Sequence, residues 1–100
     1  MNNTTDVGVG MPYSIFSYVH HNGRIASLVT IRCKTDFALR TDLIKELGKK
    51  MAMQVVALGR FDPEDTWVVD NSYRVREVID GAKKELGEPI LIENVIISGK

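Results

Sequence analysis

The stretch YVHHNGRIASLVTIRCKTDFALRTDLIKELGKKMAMQVVAL, from Tyr18 to Leu58, decides the fold. Its first half is a hairpin. From Tyr13 to His21 the chain is rich in aromatic and β-branched residues, with Ile15, Ser17 and Val19 on one face and Phe16, Tyr18 and His20 on the other. Asn22-Gly23 predicts a two-residue type I′ turn, in which both central residues take positive φ. Arg24 to Cys33 is the returning strand, with Ile25, Val29 and Ile31 on one face and Ala26, Leu28, Thr30 and Arg32 on the other.

The second half is a helix. Thr41 is a candidate N-cap and Asp42 suits a first turn. Leu43, Ile44, Leu47, Met51, Val55 and Leu58 then recur at helical spacing, and Gly59 is a natural stop. Gly48 inside this helix costs about 1 kcal/mol against alanine, which a close backbone contact would explain. Between the hairpin and the helix lies Arg32-Cys33-Lys34-Thr35-Asp36-Phe37. Connections run on surfaces, so Phe37 needs cover from the core or from a partner.

Outward from this stretch, residues 1–11 read as a flexible lead-in to a domain over 12–100. Arg60 to Asn71 is a loop whose Trp67, Val68 and Val69 are apolar enough to pack down. Asp70, Asn71 or Ser72 caps a second helix from about Tyr73 to Leu86, with Val75, Val78, Ile79, Ala82 and Leu86 as its stripe. Gly87 and Pro89 end it. Ile90 to Ser98 is a third strand. The order β-β-α-α-β predicts an α+β, two-layer fold, a small antiparallel three-stranded sheet with helices on one face.

Composition narrows the function. One hundred residues make one domain, which buries roughly two-thirds of its unfolded surface. Thirteen basic and 13 acidic residues cancel, which argues against a general hold on nucleic acid or an anionic membrane. No signal peptide is visible and no apolar run approaches a membrane span, so the cytoplasm is the expected compartment. A lone cysteine, Cys33, excludes an internal disulfide and a cysteine-based zinc site.

Catalytic constellations are poor, and no enzyme activity, cofactor or metal is expected. Cys33 lies at the far end of the hairpin from His20 and His21, so a thiol–imidazole pair is disfavoured and a buried, inert thiol expected. The two histidines alternate faces on a strand, so at most one ring serves a given site. Gly8-Val9-Gly10 lacks the ending of a phosphate loop. Thr35-Asp36-Phe37 remains. On residue types, Thr35 or Asp36 caps a turn while Phe37 covers one end of the core. In the alternative, Asp36 and Phe37 project as a polar-plus-aromatic anchor, and burying the ring in a partner supplies about 2–3 kcal/mol. Met53 and Val56, off the main helix stripe, pack on the second helix or join a partner surface.

Together, Tyr18 to Ile25, Leu28-Val29, Cys33, Thr35-Asp36-Phe37, Arg40-Thr41-Asp42, Lys45-Glu46-Leu47 and Met51 to Val55 resemble bacterial elongation factor Ts, more narrowly its dimerisation domain. The resemblance runs without a gap from Tyr18 to Ala57. It implies the same α+β fold and a protein partner, the translational GTPase elongation factor Tu, whose GDP the family releases. Phe37 would be the aromatic wedge between helices of the GTPase domain, Asp36 its polar companion and Thr35 part of the same motif. His20, His21, Arg40 and Met53 are candidates for a further partner or dimer surface. Single-unit members of the family complete their arrangement by homodimerising, and this chain is expected to do likewise.

The sequence also departs from the family. Lys34 stands where glutamate is usual, Ala38-Leu39 where Val-Ala is, Ile44 where Phe is, and Ala26-Ser27 where Gly-Val is. Little beyond Gly59 resembles the family, and no small helical, ubiquitin-associated-like domain precedes the first strand. Two other readings follow: a docking module that binds elongation factor Tu without releasing nucleotide, and a self-associating adaptor that kept only the fold.

Overall fold

A computed structural model describes residues 10–99 of the chain, so the greater part of the lead-in expected over 1–11 lies outside the described residues. Three strands and three helices follow in the order β1 (Tyr13–Val19), β2 (Ile25–Cys33), α1 (Asp36–Leu39), α2 (Asp42–Leu58), α3 (Val75–Leu86) and β3 (Ile90–Gly99). They form the α+β fold that the residue pattern predicts, with one addition: the connection after β2 is itself a turn of helix.

The sheet is antiparallel in the order β1-β2-β3. β2 is central and its inner face is the most deeply covered part of the sheet: Val29, Ile31 and Cys33 are fully buried, and Ser27 nearly so. β1 pairs from Tyr13↔Arg32 to Val19↔Ala26. The connecting turn differs from expectation. Gly23 N donates to His20 O at 2.8 Å, closing the turn over His21 and Asn22, and His20 N donates to Ile25 O at 2.9 Å. Only Gly23 takes positive φ there, and Asn94 is the sole non-glycine to do so among the described residues. The turn is therefore not type I′. The Asn22 side chain accepts from Arg24 N at 2.9 Å and Gly23 alone absorbs the left-handed conformation.

β3 pairs with β2 from Ile25↔Gly99 to Cys33↔Ile90, and the register shifts once between Leu28 and Thr30. Leu28 faces Ile96 whereas Thr30 faces Glu93, so Asn94 and Val95 together oppose Val29. This is a β-bulge, with Asn94 at φ 51°.

α2 lies across the inner faces of β1 and β2, and α3 packs against β3. Thr41 caps α2, its hydroxyl oxygen accepting from Ile44 N at 3.3 Å, and Gly59 ends it at φ 71°. Ile44, Leu47, Met51 and Val55 are buried as expected, whereas Leu58 in the last turn is exposed. Gly48 is explained: the Phe16 ring occupies the place a Cβ would take, so the ring packs directly on the α2 backbone.

α3 begins two residues later than the sequence indicates. Asp70 instead caps a turn, accepting from Ser72 N at 3.0 Å, and Glu77 reaches back to accept from Arg74 N at 2.8 Å. Of the apolar trio in the preceding loop only Trp67 packs down; Val68 and Val69 stay exposed. The loop is tied to α2 by buried Gln54, whose Nε2 donates to Thr66 O at 2.9 Å and whose Oε1 accepts from Val68 N at 2.7 Å. No helix among the described residues is long and apolar enough to cross a membrane.

Candidate functional site

Past Cys33 the chain leaves the sheet and turns at once. Thr35 keeps an extended backbone (φ −129°, ψ 152°), and its hydroxyl oxygen accepts from Ala38 N at 3.2 Å, capping α1. Thr41 closes the other end, its hydroxyl donating to Ala38 O at 2.7 Å. A single turn of helix buries only one side. That side is Ala38 and Leu39, which cover the end of the core. Asp36 and Phe37 lie on the other, and Phe37 is 72% exposed. The expectation that Phe37 covers the core is thus overturned, and the residue-based alternative, a projecting acid and aromatic ring, describes the structure. Arg40, at the end of the same turn, is exposed beside them.

His20, His21 and Met53 sit elsewhere. The hairpin turn is at the opposite end of the nine-residue β2 from α1, roughly 25 Å of strand away. The histidine rings come within 4.1 Å of one another, tilted at 52°. They are neighbours rather than on opposite faces because both lie past the end of β1. Tyr18 Oη and His20 Nδ1 are 3.1 Å apart. Tyr18, His20, Ile25, Met53, Val56 and Val68 line an open, largely apolar groove of about 410 Å³. Met53 and Val56 therefore face the hairpin and the Val68 loop, not α3. The candidate residues fall into two patches: Thr35, Asp36, Phe37 and Arg40 at one end, and His20, His21 and Met53 at the other.

Among the described residues no helix covers the outer face of the sheet. Ile15, Val19, Leu28 and Ile96 are exposed there as an apolar patch across all three strands. Arg32 borders it, paired with Glu93 at 2.8 Å and lying 5.0 Å from the centre of the Tyr13 ring.

The structure keeps the candidate nucleophile and the histidines apart. Cys33 is fully buried, and burial, with Glu88 nearby, pushes its thiol up to about 11, so it is an inert core residue. Both histidines lie at the other end of β2. Among the described residues no three His, Cys, Asp or Glu side chains are grouped to hold a metal ion.

One residue of the site escapes sequence reading. The Glu88 carboxylate, from the connection between α3 and β3, accepts from Thr35 Oγ1 at 2.7 Å and from Thr35 N at 3.1 Å. Only the sheet register, which local sequence does not reveal, brings these two together.

No family model matches the chain. Individual proteins do. Elongation factor Ts of Fervidobacterium nodosum is 40% identical over 87 residues, 86% of this chain and 44% of that protein. Elongation factor Ts of Thermosipho melanesiensis is 37% identical over 87 residues with the same coverage. That of Solidesulfovibrio magneticus is 34% identical over 88, again 86% of this chain and 44% of the relative. In a chain of 100 residues, matches of this length take in the hairpin turn, α1, α2 and α3 wherever they begin. The similarity thus extends well past Gly59, further than the motifs alone indicate. The chain spans less than half the length of these curated relatives. Through that shared stretch, the chain is related to elongation factor Ts, the translation elongation factor that its hairpin, its Thr-Asp-Phe turn and its long helix resemble.

Proposed function

We propose that this domain binds elongation factor Tu and promotes release of its GDP, with Phe37 and Asp36 as the contact that matters most. The observation that carries the reading is the state of Phe37. The fold spends two caps and two buried residues on a four-residue helix, and the side chain that helix leaves in water is a phenyl ring. An exposed aromatic on a fixed backbone loses little entropy when a partner buries it. The relatives' name and the resemblance of Thr35-Asp36-Phe37 to the family motif supply the partner. Phe37 enters between helices of the GTPase domain, Asp36 adds polar contacts, and the magnesium and phosphate site is disturbed. In this reading no bond is made or broken by the domain. A ligand that prefers the nucleotide-free state shifts the equilibrium by its differential affinity alone. Such a factor works in the cytoplasm.

Calorimetric titration of nucleotide-free elongation factor Tu with the chain tests this. Binding that Phe37→Ala weakens by tenfold or more supports the reading, since the ring's burial is worth about 2–3 kcal/mol. Equal affinities for both forms would refute it.

The uncovered sheet face supports a second element of the proposal, a homodimer. Ile15, Leu28 and Ile96 form a flat apolar surface of the kind that two antiparallel sheets bury against one another, and a second copy presents the same surface. In a dimer, two Phe37 turns are available. His20, His21 and Met53, at the hairpin end, form a second and separate candidate contact with the GTPase.

A further inference from the structure

A four-residue helix has too few internal hydrogen bonds to hold its own shape, so α1 is held from outside. Its C-terminal half is well anchored: Ala38 and Leu39 are buried, and Thr41 donates to Ala38 O. Its N-terminal half, which carries Asp36 and Phe37, hangs on Thr35. Thr35 is itself exposed and belongs to no strand. What fixes it is Glu88. One carboxylate oxygen accepts from the Thr35 hydroxyl, the other from the Thr35 amide. The hydroxyl oxygen in turn accepts from Ala38 N. A relay of bonds runs from the carboxylate through the hydroxyl to the amide of α1. Bonds to a charged acceptor are the stronger kind, and donation by the hydroxyl makes its oxygen a better acceptor.

The fold places Glu88 there by several independent means. The β2–β3 ladder pairs Cys33 with Ile90, and two residues further on the same register sets Thr35 opposite Glu88. That register exists only because of the bulge at Asn94 and Val95. Continued from Leu28↔Ile96 without it, the ladder would set Thr35 opposite Pro89, whose side chain has neither an acceptor nor a charge. The backbone at Glu88 is restrained from both sides. Gly87 ends α3 in the left-handed conformation at φ 79°, and Pro89 confines the residue before it to extended geometry. Little backbone freedom therefore remains at Glu88 to lose.

We infer that Glu88 is a positioning residue for the exposed turn: through Thr35 it orders Asp36 and Phe37 before any partner arrives. The inference rests on the function proposed above for that turn, and it adds a residue from the far end of the chain. Its physical content is preorganisation. Without Glu88 the partner must order the turn on binding, which weakens association but leaves the bound complex the same.

Two measurements on the full chain test this. Amide hydrogen exchange is followed residue by residue, and release of a fluorescent GDP analogue from elongation factor Tu is titrated with wild type, Glu88→Ala and Glu88→Gln. In Glu88→Ala the Thr35 and Ala38 amides exchange about tenfold faster, while α2 and β2 keep their protection. The concentration for half-maximal release rises about fivefold or more and the rate at saturation is unchanged. Glu88→Gln recovers only part of both effects, because its single amide oxygen, now uncharged, accepts one of the two bonds that the carboxylate accepts from Thr35. Unchanged exchange at Thr35 and Ala38 in Glu88→Ala overturns the inference. So does faster exchange throughout α2 and β2, which marks a general structural role, and so does an unchanged half-maximal concentration. If wild type does not accelerate release at all, the functional reading fails. The ordering of the turn by Glu88 is then decided by the exchange measurement alone.

Discussion

Phe37 and Leu39 lie two residues apart in one turn of helix and meet opposite fates. Phe37 is the most exposed large apolar side chain among the described residues, whereas Leu39 is 6% exposed. Phe37→Ala should change stability by no more than about 0.5 kcal/mol. Leu39→Ala should cost about 2–5 kcal/mol, as large-to-small core substitutions do. Urea unfolding of the two variants checks both. Cys33 gives a prediction with a pH window. Its thiol, at about 11 in the folded chain, is raised from an ordinary value of 9.0 by burial and by Glu88. Below pH 9 the thiol is protonated whether the chain is folded or not, so the contribution is complete. Above it the unfolded thiol ionises first, and stability falls as pH rises through about 11. Urea midpoints measured from pH 8 to 11 should decline less steeply in Cys33→Ala than in wild type.

The elements differ in how much of their cause is local, and so in how legible they are. The bounds of α2 are legible because what sets them is local: a threonine cap, a stripe at helical spacing and a left-handed glycine; the need for Gly48 is not, because the Phe16 ring comes from β1. Both faces of the hairpin strands were readable for the same reason. The hairpin turn was not, because Asn22-Gly23 suits more than one geometry and the Asn22–Arg24 bond selects another. The start of α3 was misplaced because three capping residues, Asp70 to Ser72, lie before it and the one that acts closes a turn of its own. The bulge in β3 left no mark in the hydrophobic pattern that could be told from ordinary alternation. It is nevertheless the element on which the site's far side depends. Asn94 holds φ 51° there, a conformation asparagine tolerates and β-branched residues do not. Asn94→Val should destabilise the chain by about 1–2 kcal/mol, with Asn94→Gly near neutral, read from thermal unfolding. Equal stability of all three would show that the bulge moves to another residue.

At the scale of the whole molecule, helices cover one face of a small sheet, and among the described residues none covers the other. The sequence conveyed that architecture and, by resemblance, the Thr35-Asp36-Phe37 turn. It did not convey whether Phe37 pointed out, because that depends on which side of a single helical turn meets the core. Nor did it convey that the candidate residues divide between two ends of the molecule. The bare face leads to a prediction about assembly. Leu28→Glu places a charge at the centre of the apolar patch, opposite Ile96, without disturbing the inner face. Sedimentation should show wild type as a dimer and the variant as a folded monomer; a wild-type monomer at all concentrations would remove the homodimer from the account.

The most direct test of the central claim is the rate at which elongation factor Tu releases a fluorescent GDP analogue as this chain is added. The account predicts that release accelerates with concentration to a plateau. Phe37→Ala, although folded, should lose about tenfold or more of that acceleration, in line with the roughly 2–3 kcal/mol carried by the buried ring. No acceleration by wild type, or an equal acceleration by Phe37→Ala, would contradict it.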